Sequence, residues 1–370
     1  MAFTTYEETR PWAKAMARAV KTRAMPPWHA SEQHAGVFHG ERVLSDVEIN
    51  TIVRWVATGA AEGHRLEGTS ATVPGVPIDS WSIGEPDLVV EIPEPHFVSD
   101  EVEDISVTFP IALTEEQLPE DRWMKAVEFR PGSGFVHHIN ADPLGGLAPG
   151  NGPSYYDDGF GVLLRKGSTV NFEVHYHKEA GPGTGGWDQS KAAVIFHPEG
   201  YVPERLTVTE PLGNYDFEIL PGDPDATVDV EYIFRRDALL IALLPHMHYR
   251  GKAAKYTLHY PDGTSKIVLD VPQYDFNWQT TYRFKEPMWL PAGTRMHFQG
   301  WWDNSAENPS NPDPTATVVW GESSDDEMMA GWMAFAYDEK RPGDQSGYNL
   351  DPEGTVWGLL EILEQTRAAK

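Results

Sequence analysis

The chain has 370 residues, with 29 Lys and Arg against 56 Asp and Glu, a formal charge of −27. That balance tells against DNA, RNA or an anionic membrane as partner. The absence of cysteine removes disulfides, thiolate metal sites, covalent c-type haem and a cysteine nucleophile. With 13 Trp, 14 Tyr and 15 Phe there is core material for two or three globular domains.

No run of 18 apolar residues occurs, so no transmembrane helix is expected. Residues Met1 to Glu8 lack the basic and apolar segments of a signal peptide. The protein is therefore expected either to stay inside the cell or to be a form from which a leader was removed.

Residues 1–66 read as a small helical unit. Pro11 sits in an opening turn, followed by Trp12, Met16, Ala19 and Val20 at helical spacing. Met25-Pro26-Pro27-Trp28 is a break. Ser45 and Glu48 form a capping box ahead of the apolar face Ile49, Ile52, Val53 and Val56, and Gly59 ends that helix. Residues 67–80 have the small-residue, Thr, Val and Pro composition of a linker.

The texture then changes to short alternating runs bounded by Gly, Pro and Asp. The spacing predicts strands over 87–92, 102–109, 123–130, 169–177 and 192–197. A second series covers 228–234, 239–248, 254–260, 265–271, 280–284, 295–302, 317–320 and 328–337. Such spacing predicts a mainly β chain of two antiparallel jelly-roll sandwiches, one over 81–205 and one over 206–340. Residues 341–370 form a C-terminal extension, with a helix beginning near Asp351 and Pro352 and carrying Val356, Leu359, Leu360 and Leu363 on one face. No repeat of 20–50 residues is visible, which tells against a solenoid or propeller.

Histidines cluster where the β pattern is strongest. In Leu244-Pro245-His246-Met247-His248-Tyr249, an extended chain would place His246 and His248 on one face, a common transition-metal geometry. Two hydrogen-bonded histidines on a half-buried strand would look the same. His137 and His138 are adjacent, so both could reach one ion only at a strand end or bulge. Glu173-Val174-His175-Tyr176-His177 offers two more same-face imidazoles, and Asp325-Asp326-Glu327-Met328-Met329 places thioethers beside acids. Asp303 to Asp313 is rich in oxygen ligands but lacks the spacing of an EF-hand loop, so a Pro-locked surface loop is expected there.

In this order over roughly 80–340, these segments resemble the copper type II, ascorbate-dependent monooxygenases, the family of peptidylglycine α-hydroxylating monooxygenase and dopamine β-monooxygenase. The resemblance implies two coppers in separate jelly-roll domains facing a solvent-filled cleft. One would take His137, His138 and His175, with His177 in reserve, and would pass electrons. The other would take His246, His248 and Met328, with Met329 as the confounder, and would be the catalytic one. The ligand types agree with those roles. Three imidazoles hold both Cu(II) and Cu(I), whereas two imidazoles and a soft thioether favour Cu(I) and leave a position open.

Departures from the family bear on substrate. The peptide-amidating members have an arginine where this chain has Leu244, a tyrosine at Trp332 and an asparagine at Ala330, so the clamp for a glycine-extended peptide is missing. Glu173 resembles the catecholamine-type members. Leu244, Glu173 and Trp332 are the candidate substrate-binding residues, and the substrate is expected to be small and apolar or aromatic at its reacting end.

The N-terminal region carries a second resemblance. Arg10-Pro11-Trp12, Met25-Pro26-Pro27-Trp28 and Leu44-Ser45-Asp46 through Gly59-Ala60 look like the second half of a bacterial cytochrome c domain, with Met25 in the axial position. The Cys-x-x-Cys-His haem motif is absent, so no haem is expected on this chain.

The resulting expectation is a periplasmic or secreted copper-dependent monooxygenase that uses O2 and two electrons to hydroxylate a C–H bond of a small molecule. Ascorbate, or an upstream c-type haem domain or other electron-donor protein, would supply the electrons. The rival readings are a copper-binding or electron-transfer protein of the same fold without hydroxylase activity, and a non-catalytic module with empty sites.

Overall fold

The structure is a computed structural model that describes residues 3, 5–63 and 80–337. The expected C-terminal helix and nearly all of the expected linker lie outside the described residues. Among the described residues the α-helices are short and lie in the N-terminal region: α1 (Tyr6–Thr9), α2 (Ala13–Lys21) and α3 (Asp46–Ala57). Ser45 and Glu48 make the capping box at α3, each side chain bonded to the other's backbone N–H.

Between α2 and α3 the chain has only a short 3-10 helix at Glu32–His34. Trp28, Ala30 and Val37 pack against the core of the second β unit, and Phe38 is fully buried within it. Ser31 N–H donates to Asp270 O and Lys285 N–H to Val37 O, so this segment is tied to that unit by its own backbone. The small helical unit is thus not free-standing, because its aromatic residues complete another core.

The first β unit comprises β1 (Leu88–Glu91), β2 (Asp104–Ala112), β3 (Arg122–Arg130), β4 (Val136–Asp142), β5 (Gly145–Leu147), β6 (Phe160–Leu164), β7 (Thr169–His177) and β8 (Lys191–Phe196). The second comprises β9 (Arg205–Gly213), β10 (Ala226–Ile233), β11 (Ala238–His246), β12 (Gly251–His259), β13 (Ser265–Val271), β14 (Tyr282–Leu290), β15 (Arg295–Trp302) and β16 (Ala330–Tyr337). Most follow the alternation read from the sequence. β4, β5, β6 and β9 were not among the expected strands, since glycines and prolines interrupt the pattern around them.

In the first unit the strand orders are β1-β8-β3-β6 and β2-β7-β4-β5; in the second they are β9-β16-β11-β14 and β10-β15-β12-β13. With the short strands His96–Val98, Ser154–Tyr155, Gly186–Asp188, Glu218–Ile219 and Val318–Val319 set aside, subtracting eight from the second pair reproduces the first, so the longer strands repeat one topology without a visible sequence repeat. Within each unit the two sheets close on one core. Val90, Met124, Phe172 and Val194 belong to the first, and Leu240, Tyr256, Phe298 and Phe335 to the second. β9 pairs parallel with β6 at Arg205 and Leu206, then antiparallel with β16, so one sheet runs through both units.

Alternation explains which side chains are left for chemistry. On β7, Phe172, Val174 and Tyr176 enter the core, which turns Glu173, His175 and His177 to the opposite face. On β11 and β16, Leu243, Met333 and Phe335 enter the core, which turns Leu244, His246 and Trp332 away from it.

Candidate metal centre

The first histidine set is assembled by a bulge. β4 and β7 pair antiparallel, and their register slips between Val136 and His138. The slip is what allows adjacent His137 and His138 to address one point, while His138 stands directly across from His175. His138 Nδ1 lies 3.3 Å from His137 Nδ1 and 3.2 Å from His175 Nδ1. Ligand nitrogens about 2.0 Å from an ion at tetrahedral angles are about 3.3 Å apart. The three rings form a group that could hold a metal ion, although N–H···N hydrogen bonds would give the same two separations.

Charge and tautomer agree with that geometry. Burial, then the nearby charges of His175 and His177, pushes His137 down to about 3. Burial also holds His138 well below the ordinary imidazole range. Both rings are therefore neutral at physiological pH, the form that ligates. His175 Nε2–H donates to Asp104 Oδ1 at 2.9 Å, which turns its Nδ1 lone pair inward. Asp104 Oδ2 accepts from His177 Nδ1 at 3.1 Å, and His177 Nε2 accepts from the Tyr249 hydroxyl at 2.8 Å. With both ring nitrogens engaged, His177 stands behind the set rather than in it. Burial raises the Asp104 carboxyl, but hydrogen bonds from His175 and His177 outweigh it and hold the group well below its usual range.

Asp104 was missed by sequence reasoning, because its strand lies 71 residues from His175 and only the β2–β7 register joins them. Carboxylates behind metal-bound histidines set ring orientation and basicity. Asp104→Asn is expected to lower affinity for metal at the three-histidine set by about 10–100-fold, measured by titration of the metal-free protein.

The second set departs from the extended His-x-His expected from the sequence. β11 ends at His246, and His248 lies in the turn before β12. The ladder stops because other groups take over its hydrogen bonds. The Tyr274 hydroxyl accepts from Met247 N–H and donates to Met247 O, and the Glu327 carboxylate accepts from His248 N–H and Arg250 N–H. Gly251 closes the turn, where a Cβ would sit 2.7 Å from that of Met247 and 2.9 Å from the Tyr274 ring. The two imidazoles remain neighbours, 5.3 Å apart between centroids.

His246 Nδ1–H donates to Gln279 Oε1 at 2.6 Å and His248 Nδ1–H to Asp326 O at 3.3 Å, leaving both Nε2 lone pairs available. Burial lowers His246 and pushes His248 down to about 3. Met329 is fully buried in the core of the second unit, whereas Met328 is half-buried. Met328 N–H shares Glu327 Oε2 with His248 N–H. The ladder ends at the His246–Ala330 pair, and Met328 precedes Ala330 by two residues, just outside it. Leu244 pairs with Trp332 in that ladder, one step before His246. Glu173 precedes His175 by two residues on its outward face, in register with Thr108 and Asn140.

The structure brings the two sets together instead of leaving a solvent-filled cleft between them. His138 and His246 have ring centroids 6.1 Å apart. Phe276 stacks on His137 at 4.3 Å and also contacts His177, His248 and Tyr249. Nothing in the sequence around Phe276 marks it as the common wall. The oxygen-rich loop after Asp303 turns inward: Asn304 Oδ1 accepts from Arg250 Nε and Asn311 Nδ2, and Asn304 Nδ2 donates to Leu220 O and Ala316 O. Its oxygens serve the loop and Arg250, in keeping with the surface-loop reading.

Without metal, the neutral imidazoles make stability pH-dependent. His137 and His248 have folded values of about 3, below the unfolded value near 6.5, so the unfolded chain binds more protons in that interval. Stability is then full above about 6.5 and falls as pH drops toward 3. Glu327 acts in the opposite sense, because burial, against hydrogen bonds from Arg250 and His248, raises it to about 7. His138 and His246, also depressed, outweigh it. Urea unfolding of the metal-free protein is expected to show net uptake of about two protons or more between pH 6.5 and 5.

No family model matches the chain, and no curated protein matches it. Among solved structures, it is similar to the major capsid protein P2 of bacteriophage PM2, at 10% identity and TM-score 0.29, over 69% of this chain and 98% of that one. The STIV MCP shows 5% identity and TM-score 0.30 over 68% and 97%, and cowpea mosaic virus top component 9% and 0.26 over 76% and 98%. Likeness at that level carries nothing about function. No described helix is long and apolar enough to cross a membrane.

Proposed function

We propose that the chain is a two-copper monooxygenase resembling the copper type II, ascorbate-dependent family, built on two jelly rolls. The repeated eight-strand order, with first and last strands adjacent in one sheet, supports the jelly-roll reading. The observation that carries the function is the grouping of His137, His138 and His175, with ligand atoms within 4.8 Å of one another, beside the His246 and His248 pair. Bound copper would relay two electrons from the reductant to O2, the C–H bond giving the other two, so that R–H, O2, two electrons and two protons give R–OH and water.

The protein's own residues do the rest. Asp104 and Gln279 fix His175 and His246 in the tautomers whose lone pairs face inward. Leu244 and Trp332 form an apolar cross-strand pair on the His246 face, which suits a small substrate that is apolar or aromatic at its reacting end. Arginine is absent at Leu244, so a peptide carboxylate finds no partner there. We assign the protein to the periplasm or the exterior, with ascorbate or a c-type haem protein as reductant.

Met328→Ile tests the division of labour. It removes the thioether while preserving bulk, so the three-histidine set should still fill while O2 consumption with reductant falls by at least about a hundredfold. Unchanged turnover would mean that Met328 is not a ligand. Filling of both sets with no hydroxylated product from any small aromatic or aliphatic substrate would favour an electron-transfer protein of the same fold.

A further inference from the structure

One hydrogen-bonded chain links the two histidine sets through groups that neither set uses as ligands. Tyr249 follows His248 directly, in the turn of the second unit. Its hydroxyl reaches His177 Nε2 in the first unit at 2.8 Å. His177 Nδ1 reaches Asp104 Oδ2 at 3.1 Å, and Asp104 Oδ1 reaches His175 Nε2 at 2.9 Å. A single assignment of protons satisfies every link: the tyrosine donates to His177, and both histidines donate to the carboxylate.

We propose that Tyr249 is a positioning residue that couples the two sets, so that occupancy of the His246 and His248 set strengthens binding at His137, His138 and His175. The inference rests on the metal reading given above. An ion at His246 and His248 holds the turn that carries Tyr249. A fixed Tyr249 holds the His177 ring in the tautomer that donates to Asp104, and Asp104 then presents His175 in one orientation. Removing the hydroxyl frees His177 to exchange tautomers, and the lone pair of its Nδ1 would then face the carboxylate. The Tyr249 and Phe276 rings pack 4.8 Å apart, so Tyr249→Phe keeps that packing and deletes only the polar link.

The test is titration of the metal-free protein with Co(II), whose visible spectrum reports the ligand set independently of turnover. Tyr249→Phe should weaken Co(II) binding at the three-histidine set about tenfold and alter its spectrum, while unfolding temperature without metal stays near that of the unaltered chain. His246→Ala, which empties the second set, should weaken the first set to a similar degree. The double variant should lose no more than either single one, because both act along one route. His177→Gln breaks the same chain one link further on and substitutes if Tyr249→Phe does not fold. Unaltered affinity and spectrum in Tyr249→Phe, or additive losses in the double variant, overturn the coupling and leave the metal sets standing. No Co(II) at the three histidines in the unaltered chain overturns both.

Discussion

Glu327→Ala is expected to be the most damaging single substitution near the site. The side chain is fully buried and its carboxylate accepts from His248 N–H, Arg250 N–H, Trp302 Nε1–H and, at 3.3 Å, Met328 N–H. Alanine leaves those buried donors without a partner, at about 1–3 kcal/mol each. It also withdraws the charge nearest to Arg250, itself buried, whose remaining bonds are to Asn304 Oδ1 and Asp325 O. A loss of roughly 4 kcal/mol or more, or about 10 °C in unfolding temperature, should follow. Because the carboxylate ties His248 to Met328, the second set should lose metal and O2 consumption should cease, while the three histidines still bind. Glu327→Gln should fall between, since its amide nitrogen meets donors. A variant with unfolding temperature and turnover both unchanged would show that the carboxylate is not what holds the turn.

His138→Ala should have the opposite signature, a large loss of metal with little loss of fold. His138 Nδ1 is the middle atom of the first set, within 3.3 Å of both partners, and its ring lies beside His246. Losing one of three ligands should weaken binding by about a thousandfold, beyond the 10–100-fold typical of groups behind a ligand. Without metal, removing an imidazole that burial keeps uncharged costs little, so unfolding temperature should hold or rise. Metal content should fall from two ions per chain to one, and turnover with reductant should stop. Retention of two ions would remove His138 from the set.

The sequence was informative where short-range pattern decides structure. Strands such as Thr169–His177 and Arg295–Trp302 were legible from alternation, as was the α3 capping box. The histidines were legible because spacing of one or two residues already implies shared faces. What was hidden depends on pairing across long separations. Asp104 reaches His175 through strand register, Gln279 reaches His246 from 33 residues away, and Phe276 becomes a wall only when two units meet. Glu327 read only as an acid beside methionines, because such a residue has no local mark of burial. The bend after His246 escaped notice for the same reason: Tyr274 and Glu327, which end the ladder there, lie 27 and 79 residues away. Two β units were legible from the spacing of the runs, but their shared strand order was not, since the units have that order and not residues in common.

The most direct measurement is copper content of the purified, copper-loaded chain together with O2 consumed and hydroxylated product formed under reductant. The expected result is two copper ions per chain, one lost in His138→Ala and the other in Met328→Ile, with product formed only when both are present. One copper or none in the unaltered chain, or product formation that survives loss of either ion, would contradict a paired-copper hydroxylase.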